Sequence, residues 1–378
     1  MNLPALSVGF TPLVDAAPVI VAHEMGFARA EGVAITLHRA PSWSASRDML
    51  AFGAVDAAHM LSAVPVATAL GLGGAGAPIH ALSVLSVNGN VIGVSRALAS
   101  RMRGQGFGFD FRDARAAGTA LVDAAGPGLR IGVPFPFSMH AELIRYWFAA
   151  LPAAPEAGVE IRTVPPPLMA EAIGAGEIDA FCVGEPWGSI AVETGTGELL
   201  LPGCAIWDAA PEKVLAMRAG EAEPARFTPL MRALWRAGRW LAQPGSRTAA
   251  AEVLARPEYL DMPAEVVDRA LSGRMTVSAR GDARRVERLV AFDPDQAGFP
   301  WGDQAAWIGR RLARRAGLDL ESAERAAREV FRGDLYRQML AGTGTGAAMP
   351  SAESRDTAPG LQRGRFFDSR VFDTSRVE

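Results

Sequence analysis

Strand-like and helix-like runs alternate along the first half of this chain, and that alternation constrains the fold more than any other feature. "LSVGF" reads as a strand, "APVIVAHEMGFARAEG" as a helix ending at Gly32, and "VAITLHRA" as a second strand. "SASRDMLAFGAVDAAHM" reads as a helix, a loop and a short apolar run. "VPVATALGLGG" is a helix with a glycine stop, and "IHALSVLSV" a strand bounded by "NGN". The logic repeats further on, with strand "LRIGVP", helix "SMHAELIRYWFAALP", strand "VEIRTVP", and a helix, glycine turn and buried strand in "PPLMAEAIGAGEIDAFCVGEPW". A pattern that switches between period 2 and period 3.6 in this order argues for an α/β architecture, with mainly parallel strands and helices on both faces. "EKVLAMRAG" reads as one later strand, and residues 227–342 read mostly as helix. Residues 343–363 are rich in Gly, Ser, Thr, Ala and Pro and read as a linker, while Phe366, Phe367 and Phe372 in the last segment favour docking over exposure.

Composition narrows the function classes. Hydrophobic residues make up 49% and charged residues 21% of the 378, as in an ordinary globular protein, and a net charge of −3 provides no basic footprint for nucleic acid. No apolar run reaches the roughly 18–20 residues of a membrane helix. No Lys or Arg precedes Arg29, and strand-like alternation begins at Leu6, so no secretory leader is expected and a cytoplasmic location is. Cys182 and Cys204 read as buried free thiols. Every basic Lys/Arg position is arginine except Lys213, which raises the question of a job specific to an ammonium group.

Dinucleotide, P-loop, nucleophile-elbow and HExxH motifs are absent from the sequence. "GLGGAG" at 71–76 follows a helix and lacks GK[ST], and the histidines at 23, 38, 59, 80 and 140 have no metal-ligand spacing. Neither a cofactor nor a metal is expected. Four features remain at strand ends or helix starts, where open α/β sheets bind ligands. Trp43 follows a strand in "APSWSASRD", as a wall for a ligand or an aromatic packed at an edge. Asn88, Gly89 and Asn90 interrupt two apolar runs, as a tight turn or a crossing between lobes. His140 falls where a helix beginning after Ser138 shows free N–H groups, as a capping residue or an anion contact. Lys213 enters an apolar strand. An indole, amides, an imidazole and one ammonium suit a small, planar, weakly hydrated anion. They offer no nucleophile–base–orienter set for covalent catalysis, so no enzymatic activity is expected.

Taken together, "VGFTPLVDAAPVIVAHEMGFARAEGV", "SWSASRDML", "PFSMHAELIRYWFAA", "PPPLMAEAIGAGEIDAFCVGEPWG", "PEKVLAM" and "AGFPWGDQAAWI" resemble the nitrate/bicarbonate-binding family of ABC-transporter solute receptors. Within it they resemble the cytoplasmic nitrate/nitrite sensors of the NasS type. The "SMH…RYW" and "FCVGEPW" blocks are the specific ones. The resemblance implies a type II periplasmic-binding-protein-like fold, with two α/β lobes, two crossing strands and a cleft between. It divides the chain into 1–93 (first part of lobe 1), 94–188 (lobe 2), 189–342 (the rest of lobe 1 with C-terminal helices) and 343–378 (linker and tail). It implies anion contacts at Trp43, Asn90 and Lys213 from lobe 1 and His140 from lobe 2, with Asn90 where transport receptors tend to carry glutamine. Ser138, Asp179, Glu185 and Trp187 become supporting or hinge residues. Gly302 and Gln304 stand where relatives often carry a basic residue and a histidine. The sensor branch implies nitrate or nitrite as ligand and an RNA-binding antiterminator of the NasT (ANTAR) type as partner, with no direct contact to nucleic acid or membrane. The alternatives are a receptor of a nitrate/bicarbonate-type ABC transporter and, on the same fold, a thiamine-precursor or menaquinone-pathway enzyme.

Overall fold

The computed structural model describes residues 3–74, 76–152, 158–221, 223–343, 364–370 and 372. Thirteen strands are described: β1 (Ala5–Phe10), β2 (Ala34–Arg39), β3 (Ala57–Leu61), β4 (Ile79–Asn88), β5 (Asn90–Ser95), β6 (Arg130–Val133), β7 (Glu160–Thr163), β8 (Ala180–Gly184), β9 (Gly197–Pro202), β10 (Pro211–Arg218), β11 (Arg274–Thr276), β12 (Ala283–Arg285) and β13 (Val290–Ala291). They form a six-stranded sheet in the order β13-β4-β10-β3-β1-β2, a five-stranded sheet in the order β7-β6-β8-β5-β9, and the β11-β12 ribbon.

Each large sheet has a parallel core into which one antiparallel strand is inserted. In the first, β1 pairs in parallel with β2 and β3, while β10 runs antiparallel to β3 and β4. In the second, β6 pairs in parallel with β7 and β8, while β5 runs antiparallel to β8 and β9. The expectation of mainly parallel strands therefore holds for the cores and fails at the edge strand β13, antiparallel to β4, and at the inserted strands β5 and β10. These two strands enter their sheets from the other lobe and arrive in the opposite direction. All residues of β10 from Pro211 to Met217 are buried, as befits a strand with neighbours on both edges and cover on both faces.

The chain crosses between the sheets at Asn88–Gly89–Asn90 and returns between Pro202 and Pro211. Residues 93/94, expected as a boundary, fall inside β5, and 188/189 fall inside the helix Trp187–Glu193. β9 follows that helix and still belongs to the second sheet. The "NG" step is thus no hairpin: Asn88 and Gly89 take φ of 62° and 103°, and the left-handed pair redirects the chain into the other lobe. Asn88 also ties the two crossings together. Its Nδ2 donates to the carbonyls of Asp208 (3.0 Å) and Arg288 (3.2 Å), and its Oδ1 accepts from Ala210 N–H (3.1 Å).

Helices cover both sheets. The helix Pro224–Leu241 buries Phe227, Leu230, Leu234, Ala237 and Leu241 at helical spacing and packs on the helix Ala17–Glu24 of the first lobe. One contiguous apolar cluster runs from Leu61 and Trp43 in the first lobe to Ile92, Ile131 and Trp147 in the second. The linker reading over 344–363 lies outside the described residues. Beyond it, Phe366 and Phe372 stack on Trp207 at 4.8 and 5.2 Å between centroids. Phe366 also lies 4.5 Å from Tyr146, whose hydroxyl donates to Asp368 (3.0 Å). The expected docking of the tail is observed on the body of the chain.

Replacing Asn88 by Ala deletes three hydrogen bonds at the crossings and leaves a residue that tolerates the left-handed region less well. Denaturant unfolding is expected to show a loss of about 2–3 kcal/mol; an unchanged midpoint would show that the crossings hold without it.

Candidate functional site

Lys213 is the centre of a fully buried polar cluster between the two sheets. Its Nζ lies 2.7 Å from Asp15 Oδ2 and 3.1 Å from Glu212 Oε1, and sits 5.4 Å from the centroid of the Trp43 ring. Consecutive residues of a regular strand point to opposite faces, so Glu212 and Lys213 should not meet. Here the pairing of β10 with β4 shifts register between Pro211 and Lys213 and again between Lys213 and Val214. That irregularity turns both side chains into one site. Asp15 is presented by the short 3₁₀ turn Val14–Ala16, which follows β1.

The second lobe supplies the other wall. Ser138 caps the helix Met139–Ala149, its hydroxyl accepting from Ala141 N–H (3.2 Å) and donating to Phe135 C=O (2.7 Å). This places His140 in the first turn, with Nδ1 3.2 Å from Glu212 Oε1 but without hydrogen-bond alignment. Asn90 Nδ2 donates to Glu212 Oε2 at 2.7 Å. Asn90 was expected from lobe 1. It opens β5, whose partners β8 and β9 lie in the second sheet, so its amide arrives from lobe 2. Trp43 begins the helix Trp43–Ala51, capped by Ser42, and its ring lies 5.5 Å from that of His59 on β3. His59 Nε2 in turn lies 3.0 Å from Asp15 Oδ1.

The four residues expected at the site therefore come together. Of the supporting residues, Ser138 is the cap described above. Glu185 stands at the crossings: its N–H donates to Gly89 C=O (3.0 Å) and its C=O accepts from Val14 N–H (2.9 Å). Trp187 Nε1 donates across the lobes to Pro12 C=O (2.8 Å). Asp179 is not at a crossing. It accepts from Arg130 N–H (3.0 Å), Nε (2.9 Å) and Nη2 (2.8 Å) and ties β6 to β8 inside the second lobe. Asp15, His59 and Glu212 were missed. The available signal was a charged or imidazole side chain inside an otherwise apolar run, in "TPLVDAAP" and "VDAAHML", and a glutamate adjoining the sole lysine.

Burial sets the charges. It works to raise the pKa of Asp15, but Lys213 and His59 outweigh it and hold the carboxyl at about 2. Burial opposes the Lys213 ammonium, and Asp15 and Glu212 more than restore it, so its pKa lies above the usual value. Glu212 is pushed up to about 7 by burial, with Lys213 counteracting and Asp15 adding to the rise; Glu185 is pushed up to about 7 by burial as well. Burial drives both His59 and His140 down, His140 well below its ordinary value, so both are neutral at pH 7. The linkage signs differ. Stability from ionised Asp15 is full above about 4 and is lost as pH falls through about 2. The neutral-acid preference of Glu212 and Glu185 stabilises below about 4.5 and is lost as pH rises through about 7.

Several buried polar atoms here find no hydrogen-bond partner: Trp43 Nε1, Asn90 Oδ1 and His140 Nε2. Unsatisfied buried groups each cost about 1–3 kcal/mol, and their gathering round one ammonium marks a place built to receive a small polar guest. Among the described residues no group of three or more His, Cys, Asp or Glu is positioned to hold a metal, and no helix is long and apolar enough to cross a membrane.

Two α/β lobes joined by crossing strands, with a buried polar site between them, define a periplasmic-binding-protein-like ligand receptor fold. The profile of the NMT1-like family matches residues 1–255, and the chain belongs to that family. It is 32% identical over 346 residues to the nitrate import ATP-binding protein NrtC of Synechocystis, covering 88% of this chain and 50% of that protein. To the nitrate/nitrite binding protein NrtA of Synechococcus elongatus it is 28% identical, over 98% of this chain and 84% of that one. The chain thus spans about half the length of the NrtC relatives. Among solved structures, the periplasmic nitrate-binding protein NrtA from Synechocystis superposes with a TM-score of 0.86 at 25% identity, covering 100% of this chain and 97% of that one. The alkanesulfonate-binding protein SsuA from Xanthomonas axonopodis shares the fold at a TM-score of 0.57 and 18% identity, over 89% of this chain and 99% of that one.

Lys213 has no exposed surface and compensates two buried carboxyl groups. Lys213→Met is therefore expected to cost about 3–5 kcal/mol of stability at pH 8. Without the cation both acids prefer their neutral forms, so the deficit should shrink towards pH 5. A deficit that is constant with pH, measured by denaturant titration, would show that the carboxylates do not depend on this ammonium.

Proposed function

We propose that this protein is a solute receptor for a small planar oxyanion, nitrate or nitrite, serving an ABC-type importer. The observation that carries the reading is the pair of unpartnered buried groups that the two lobes bring to the Lys213 cluster: Trp43 Nε1 from the first, its ring 5.4 Å from the ammonium, and His140 Nε2 from the second. A small planar oxyanion accepts hydrogen bonds in its plane, so an indole N–H and an imidazole N–H beside an ammonium meet its needs without a metal. The likeness in sequence and fold to nitrate-binding NrtA supports the same ligand class. Because contacts come from both lobes, binding favours the closed arrangement, and any downstream effect is limited by the difference in affinity between closed and open forms.

The second reading is a cytoplasmic nitrate/nitrite sensor that restrains an antiterminator of the NasT (ANTAR) type. It rests on the "SMH…RYW" and "FCVGEPW" blocks. Capture of such a partner by the purified chain, released by nitrate, would favour it; equal capture with and without nitrate would count against it. Neither reading calls for catalysis, and the cluster contains no activated nucleophile.

Calorimetric titration with nitrate, nitrite, bicarbonate and an alkanesulfonate tests the ligand class, with nitrate or nitrite expected to bind most tightly. Trp43→Phe, which keeps the ring and removes the N–H, and His140→Ala should each weaken nitrate binding by about tenfold or more, since one lost hydrogen bond to a charged partner is worth about 1.5–3 kcal/mol. Wild-type affinity in both variants would make these residues structural.

A further inference from the structure

Glu212 occupies the donors that an incoming anion needs. Its two carboxylate oxygens engage Lys213 Nζ (3.1 Å) and Asn90 Nδ2 (2.7 Å), and His140 Nδ1 lies 3.2 Å away. Among the described residues of the cluster it is the one carboxylate shown to reach partners in both lobes, from Lys213 on β10 in the first to Asn90 on β5 and His140 on the helix Met139–Ala149 in the second. It has no exposed surface, and neither do Asp15, His140 or Lys213. A carboxylate held by an ammonium and an amide is chemically an oxyanion already in place.

We propose that Glu212 is a resident counter-anion of the site, and that an external oxyanion binds in step with transfer of one proton from solvent to the Glu212 carboxylate. This rests on the oxyanion reading above. The balance is simple: one anion and one proton enter, no covalent bond other than O–H forms, and the total charge of the cluster is unchanged. With Asp15 and Glu212 both ionised beside Lys213, the three carry one net negative charge, and a second anion within a few ångströms would be repelled in a medium that screens poorly. A neutral Glu212 removes that repulsion and gains an O–H donor that can face the guest.

The other groups around Glu212 do not substitute for it. Lys213 and Asp15 form a tight ion pair whose members keep their charges through the neutral range. His140 from the Met139–Ala149 helix and His59 behind Asp15 are held neutral by burial. Cys182 on β8 has its thiol pushed far up, first by burial and then by Glu212. Asn90 does not titrate. Glu185, just after β8, is the remaining acid; its Oε2 accepts from Ser189 N–H (3.3 Å), its Oε1 has no hydrogen-bond partner, and the Lys213 ion pairs are with Asp15 and Glu212 instead.

The test is calorimetric titration of the full chain with nitrate from pH 5.5 to 9 at constant ionic strength, in pairs of buffers with different ionisation enthalpies. The Kd should be flat in acid and rise about tenfold per pH unit in the alkaline range, with about one proton taken up per nitrate there. Glu212→Gln should abolish both slope and proton uptake and bind nitrate more tightly than wild type at pH 8.5; Glu185→Gln should keep the slope. The wild-type proton count stands alone if the glutamine variant does not fold. Nitrate binding that is independent of pH, or a slope that survives in Glu212→Gln, overturns the proposal while leaving the receptor reading intact. Absence of nitrate, nitrite and bicarbonate binding at every pH overturns both.

Discussion

An ammonium group with no access to water is the constraint on which the rest of this molecule depends. Lys213 lies on a central strand with neighbours on both edges. A lone buried charge there would cost several kcal/mol, so its surroundings must supply opposite charge. They do so from separate parts of the chain: Asp15 from a turn after the first strand, Glu212 through a register slip in β10 itself. The slip distorts the β10–β4 ladder, and what it provides is a second carboxylate on the same side as the lysine. Lobe architecture, strand irregularity and site electrostatics are in this sense one problem with one solution.

The helix Met139–Ala149 connects that problem to the outside. Its first turn delivers His140 to the cluster. Two residues on, still in the first turn, buried Glu142 meets Arg311 (3.1 Å) and Arg315 from the helix Gly302–Ala316, which packs on the first lobe. One turn further, Tyr146 carries the docked tail through Asp368 and Phe366. Residues at positions 138, 142 and 146 repeat at helical spacing, so a single stripe serves as cap, interlobe clamp and anchor.

Much of this was legible in the sequence, for identifiable reasons. The alternation of strand and helix fixed the class because period 2 and period 3.6 differ visibly even in short runs, and Ser138 announced the helix that carries His140 because hydroxyl caps have a strong positional signature. Lys213 stood out only because arginine fills every other Lys/Arg position. The antiparallel entry of β5 and β10 was not legible, since strand direction leaves no mark on composition. Asn90 was accordingly assigned to the wrong lobe: an "NG" step looks the same whether the chain turns back or crosses over. Asp15, His59 and Glu212 escaped for a different reason. Their function is mutual compensation, which depends on distance in space, while a carboxylate near an expected anion site looks from sequence like a source of repulsion.

The uniqueness of Lys213 has a practical corollary for handling the protein. Reagents directed at side-chain amines, whether activated esters, acetyl donors or an endoproteinase that cleaves after lysine, find no ε-amine to attack on the closed molecule, because the sole one is sealed between the lobes. Any opening that bares it offers a single chemical handle, and cleavage there would sever β10 at the heart of the first sheet. The same residue that organises the interior thus makes the chain a self-reporting probe of its own breathing.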